Sequence, residues 1–295
     1  MGCAFVTPQE AVARWVPRGG CVAVGGMHST SAPMSLVREM VRQGVRVGRL
    51  VTSPSASIQA DLLIGAGLVD EVMSPYLGFE DLGLAPCFRR EVESGRLRVA
   101  ECDEGSLTHA LYAGAGGLPF IPCPPGIDLT DIPTANPGFY RQATDPFTGQ
   151  TVWAVAALRP DVALIHASEA DETGTVAFGG FPFTDRLMAL AARQLVVQVE
   201  RLVSSREMSA RSPGATLPGF LVTAVVVAPG GCHPTAAPGF YLRDEEELRA
   251  YLEAARQPEG FEAYLERTVR SVDESDCLAR ARARLGLLSG GGQSP

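Results

Sequence analysis

The densest run of residues able to do chemistry is Gly25-Gly26-Met27-His28-Ser29-Thr30-Ser31-Ala32-Pro33. Two adjacent glycines let a backbone approach a ligand closely, and successive amides can form a nest for an oxyanion or a phosphate. Gly25, Gly26, Met27, His28 and Ser29 therefore form a candidate oxyanion and substrate loop, with a tight turn as the competing reading. The run is not G-x-G-x-x-G, and no acid follows at the distance of a ribose partner, so it is not a dinucleotide fingerprint. The second candidate is Glu104, in Asp103-Glu104-Gly105, placed just before a predicted helix. There it could serve as a base in a crevice, or favour the helix N-terminus through the dipole. Glu80 could contact substrate from a loop after a predicted strand, or be a surface acid. Of the four histidines, His28 sits in the glycine loop and His166 ends a predicted buried strand; His109 falls on a predicted helix and His233 in a glycine turn.

Composition removes whole classes of function. All 25 basic residues are arginine, which excludes Schiff-base lysines and a Walker-type phosphate lysine. A net charge of -8 argues against a nucleic-acid partner, which needs a basic face. Seven cysteines without a C-x-x-C pair fit neither a disulfide framework nor a zinc site. No histidine pair has ligand spacing, so no metal is expected. The apolar stretch at 221–228 is far short of the roughly 20 residues that span a bilayer. With no signal-like N-terminus either, a cytoplasmic protein with no membrane partner is expected.

The elements that must position these residues alternate. Thr7-Pro8-Gln9-Glu10 reads as a capping box opening a helix. Strands are predicted at 21–24, 49–52, 71–76, 97–102, 162–166, 195–200 and 221–228, with helices at 33–42, 58–67, 84–93, 106–115 and 184–193. Short strands alternating with ten-residue helices predict right-handed crossovers and an α/β fold, an open, mostly parallel sheet with helices on both faces. The Pro- and Gly-rich stretch 119–149 reads as a flap or covering loop, followed by regular structure at 151–157. A helix opened by Asp244-Glu245-Glu246-Glu247 and further helices near 260–269 and 274–285 form a helical C-terminal extension. A single domain over 1–288 and a flexible Gly/Ser tail at 289–295 are expected.

Ligands bind such sheets at the carboxyl ends of the strands, and there the sequence resembles a family. The motifs are Gly25-Gly26-x-x-Ser-x-x-x-Pro33, Ile64-Gly65-Ala66-Gly67, Gly78-Phe79-Glu80, Phe88-Arg89-Arg90, Glu104-Gly105-Ser106, Asp145-Pro146-Phe147-Thr148-Gly149 and Ala228-Pro229-Gly230-Gly231-Cys232-His233-Pro234. In this order they resemble the A (alpha) subunit of class I CoA-transferases, glutaconate CoA-transferase above all, over nearly the whole chain. The resemblance implies a CoA-transferase (NagB-RpiA-like) fold and a ping-pong reaction. A glutamate attacks the acyl-CoA thioester, and a glutamyl-CoA thioester follows. It implies coenzyme A, as acyl-CoA, and a carboxylic acid as substrates. In the family the glutamate belongs to the B (beta) subunit, in a motif like Ser-Glu-Asn-Gly. The stretch here, Val51-Thr52-Ser53-Pro54-Ser55, has no acid, so a B-subunit partner in a hetero-oligomer is implied, with Ser53 and Glu80 as substrate contacts. Steroid ring-opening CoA hydrolases resemble the chain at Asp-Glu-Gly, which would make Glu104 the base. A non-enzymatic sensor of an acyl-CoA or a sugar phosphate is the third reading.

Overall fold

Apolar runs of four to nine residues build the centre of the protein, whose computed structural model describes residues 2–211 and 216–286. The strands are β1 (Ala4–Phe5), β2 (Cys21–Val24), β3 (Arg49–Thr52), β4 (Glu71–Met73), β5 (Arg98–Val99), β6 (Val162–Ala170), β7 (Gln194–Leu202) and β8 (Ala224–Val227). They lie in the order β1-β8-β7-β6-β2-β3-β4-β5, every neighbouring pair parallel. Val176–Ala177 adds an antiparallel partner at the end of β6. Successive side chains of a strand point to opposite faces. Val22, Val24, Leu164 and Val196 accordingly join one buried cluster, and Ala23, Ala163, Ile165 and Val197 the other.

Helices cover both faces. One layer holds α1 (Pro8–Trp15), α2 (Met34–Arg42), α3 (Ile58–Gly65), α4 (Pro86–Glu93) and the C-terminal α7 (Glu245–Ala255), α8 (Pro258–Leu265) and α9 (Glu274–Arg284). The other holds α5 (Glu104–Ala115) and α6 (Asp185–Ala191). The Thr7 capping box forms with both of its hydrogen bonds. The expected helix at 260–269 ends at Leu265 and continues as a π-helical turn over Glu266–Arg270.

The stretch from 119 to 156 differs most from expectation. It forms its own antiparallel sheet of Phe120–Pro122, Tyr140–Thr144 and Thr151–Ala156, packed on α5. The expected Gly/Ser tail at 289–295 lies outside the described residues.

A buried ion pair ties the C-terminal helices to the first layer. Glu274 of α9 accepts from Arg38 at 2.5 and 3.0 Å and from Arg42 at 2.9 Å. Removing one member strands the other charges in a low-dielectric setting, which costs about 3–5 kcal/mol. Glu274→Ala is therefore expected to lose that much stability in urea denaturation; a loss below about 1 kcal/mol would mean that this contact is solvated.

Candidate functional site

The glycine loop leaves the carboxyl end of β2, between β3 and β6. Its first amides are already bonded within the chain. Gly25 N–H donates to the Leu164 carbonyl, Met27 to Thr30 and His28 to Ser55. Gly26 N–H donates to both carboxylate oxygens of Asp185, each at 3.1 Å. The expectation of an open nest of amides over residues 25–28 thus meets a loop whose donors are occupied at its base. The side chain the loop leaves partly exposed is the His28 imidazole, whereas the Ser29 hydroxyl is buried without a hydrogen-bond partner.

Two separate constraints explain the glycines. A Cβ on Gly25 would stand 2.6 Å from its carboxylate. Gly26 has φ +86, and a Cβ there would stand 2.7 Å from the backbone of Ala32. Asp185 opens α6, and Ser53 Oγ donates to it at 3.2 Å. The fully buried Ser53 hydroxyl, expected to contact substrate, is thereby engaged in holding Asp185. Burial pushes the Asp185 carboxyl up to about 7, against the lowering effect of the Gly26 amide and the Ser53 hydroxyl. Gln59, also fully buried, clamps the loop from the other side by donating to the Gly26 carbonyl at 3.1 Å.

His28 and Glu80 come together. Glu80 Oε1 is 3.1 Å from His28 Nδ1, Ser55 Oγ is 3.0 Å from the same nitrogen, and Arg243 lies 3.7 Å from Glu80 Oε2. Both residues have positive φ, 54 and 55, as do Ser31 of the same loop and Phe183. Left-handed backbone at non-glycine residues is strained and collects at functional sites. Met27, Ser31, His166, Phe183 and Asp185 line a narrow cleft beside the loop, with neither His28 nor Glu80 in its lining.

Glu104 opens α5, which follows β5 and packs against α6, the helix that Asp185 opens, on the same face of the sheet. Glu104 is exposed in the first turn of α5, and the cap is its neighbour Asp103, which accepts from Ser106 N–H at 3.0 Å. Glu104 is thus an acid in the first turn, placed to favour the helix N-terminus through the dipole, while the side-chain cap is Asp103.

Behind the loop lies a polar cluster that linear spacing did not reveal. His166, Glu200 and Cys232 are all buried, with donor atoms within 4.8 Å of one another. Their hydrogen bonds are those of a structural network. Gln198 Oε1 accepts from Ser35 N–H, which leaves its Nε2 to donate to His166 Nδ1 at 3.2 Å. The imidazole proton is thereby assigned to Nε2, the atom a metal would need bare. Glu200 accepts from Gly230 N–H and Tyr241 O–H, both at 2.7 Å. Burial lowers His166 to about 3 and raises Glu200 to about 7, so their 3.9 Å approach is no ion pair near neutrality.

The chain is similar to known proteins along most of its length. The family model described as Coenzyme A transferase matches residues 5–228. The A subunit of the 3-oxoadipate CoA-transferase of Pseudomonas knackmussii is 35% identical over 273 residues, 92% of this chain and 95% of that protein. The cholesterol ring-cleaving hydrolase IpdA subunit of Rhodococcus jostii is 33% identical over 276 residues, 90% of this chain and 91% of that protein. The crystal structure of glutaconate coenzyme A-transferase from Acidaminococcus fermentans superposes with a TM-score of 0.88 at 30% identity, covering 96% of this chain and 95% of that one. A longer, uncharacterized Archaeoglobus fulgidus protein is 34% identical over 271 residues, and the matched region spans 60% of its length.

Proposed function

Because the chain belongs to the coenzyme A transferase family, we propose that it is the A subunit of a heteromeric acyl-CoA:carboxylate CoA-transferase whose nucleophilic glutamate comes from a partner chain. One observation carries the reading: the carboxylates around the glycine loop are committed. Asp185 holds Gly26 and Ser53, Glu200 holds Gly230 and Tyr241, and Glu80 sits against His28 and Arg243. A carboxylate that must attack a thioester needs its lone pairs free. Each of these three is engaged within this chain, Glu80 least of all, and the loop after β3 offers only Ser53 and Ser55.

A partner surface is available next to the cleft. Phe181, 77% exposed, and Phe183 stack edge to face there. Exposed aromatic pairs beside a cleft are surfaces that a second chain buries. In the assembled site, this chain's part would be to orient substrate through the His28 imidazole, and to hold the loop rigid through Asp185 and Gln59. The acids to try first are dicarboxylates, after the glutaconate and 3-oxoadipate in the relatives' names.

A second reading is favoured by Glu104. It is exposed and, among the described residues, has no ion-pair or hydrogen-bond partner, and the ring-cleaving hydrolase IpdA is one of the relatives. Glu104→Gln decides between the two. For the transferase we expect turnover close to wild type and a stability change of about 0.3–1 kcal/mol from the helix dipole. A rate loss of about 10²–10⁴ with the fold intact would make Glu104 a base and favour hydrolysis.

A further inference from the structure

Away from the glycine loop, a cavity of about 470 Å³ opens between α2, α3 and the C-terminal helices, and it shares no lining residue with the narrow cleft. Its floor is apolar, with Met34, Ile58, Leu62 and Val269 all buried. Its walls carry Arg38, Arg267, Arg280 and Arg284 against one carboxylate, Glu247. In a chain of net charge -8 this is a local reversal of sign.

Two of those arginines are structural: Arg38 is bound to Glu274, and Arg284 to Asp244. The other two have no carboxylate partner among the described residues; Arg267 lies over the Tyr264 ring at 5.9 Å, and Arg280 is exposed on α9. Glu247 is itself held by the Tyr264 hydroxyl at 2.9 Å. The volume falls within the range of small-molecule sites, and an apolar floor below guanidinium groups suits a ligand with an apolar body and an anionic head.

We propose that this cavity binds an amphipathic organic anion, a carboxylate or phosphate monoester on a medium-length apolar chain, at a site separate from the glycine-loop cleft. Its wall leads toward that cleft. His233 and Pro234 line it, and Ala236, two residues on, donates its N–H to the Ser29 carbonyl and accepts the N–H of Ser31. The occupant would thus sit behind the segment that backs the loop. The proposal does not depend on the transferase reading, because its test is binding and not turnover.

Isothermal titration calorimetry on the full chain, with any partner that co-purifies, would use octanoate and octyl phosphate as probes, with octanol and acetate as controls. Octanoate or octyl phosphate should bind at least about tenfold more tightly than either control, and the preferred probe shows which head group the site takes. The variant Arg267→Ala/Arg280→Ala changes two exposed side chains and should weaken that binding by at least about tenfold. Ala283→Trp, exposed at the cavity lip, should weaken it as well. Octanol binding as tightly as octanoate, no saturable binding of either probe, or affinity unchanged in the double arginine variant would overturn the proposal.

Discussion

Asp185→Asn should slow the enzyme by about 10²-fold while leaving the sheet folded. The ionised carboxylate offers only acceptors, and it receives the Gly26 amide on both oxygens and the Ser53 hydroxyl on one. An amide of the same shape has one acceptor oxygen, so its NH2 must face a donor or leave one unpaired, a penalty of about 1–3 kcal/mol in a buried site. The loop would relax to relieve it, and a displacement near 1 Å at a reacting centre is worth about 10² in rate. The carboxyl also predicts a pH signature. Its folded pKa, about 7, lies above the unfolded value near 4. The folded chain therefore keeps a proton that the unfolded chain releases, and the Asp185 contribution to stability falls as pH rises from about 4 to about 7, then levels. The stability difference between wild type and Asp185→Asn should change across that window and be flat above it. A difference constant from pH 4 to 8 would show that Asp185 does not titrate there.

Gly26→Val is expected to be as damaging in rate and more damaging in stability. The position needs φ +86, which a β-branched residue adopts only under strain of about 1–3 kcal/mol. The first side-chain carbon would also sit 2.7 Å from backbone atoms of Ala32, which cannot rotate away. A loss of at least about 2 kcal/mol and about 10² in kcat should follow. A variant with wild-type kcat and thermal midpoint would reduce the loop to a turn. Gly25→Ala provides an internal control, because its clash is with the Asp185 carboxylate at 2.6 Å. Combining it with Asp185→Ala should relieve that overlap, so the two substitutions should be less than additive in stability.

The parallel sheet was legible because its strands are short apolar runs such as Val22-Ala23-Val24 and Val162-Ala163-Leu164-Ile165, separated by helical spacing. The glycine loop was legible as a candidate site for the same reason: it follows such a run at the strand end where ligands bind. The small sheet at 120–156 was not, since proline and glycine at the turns masked the alternation of its strands. Asp185 left no local signal. It is one acid at the start of a helix, 159 residues from the amide it holds, and only the fold makes that contact. His28 and Glu80 were each visible, but their 3.1 Å pairing arises from two loops closing over β2 and β4. Glu104 was visible as an acid at a helix start, but the cap itself, Asp103, was not singled out. The side chain that reaches back to Ser106 N–H is the residue just outside the helix, where capping geometry places it.

Following label tests most directly whether the site is shared between two chains. The chain is co-expressed with its partner subunit, and the purified complex is given glutaconyl-CoA and isotopically labelled carboxylic acids, beginning with 3-oxoadipate. The proposal predicts that label enters the CoA ester only when both chains are present, and that hydroxylamine traps a glutamyl thioester on the partner. Release of free coenzyme A without labelled ester, or full transfer by this chain alone, would contradict it.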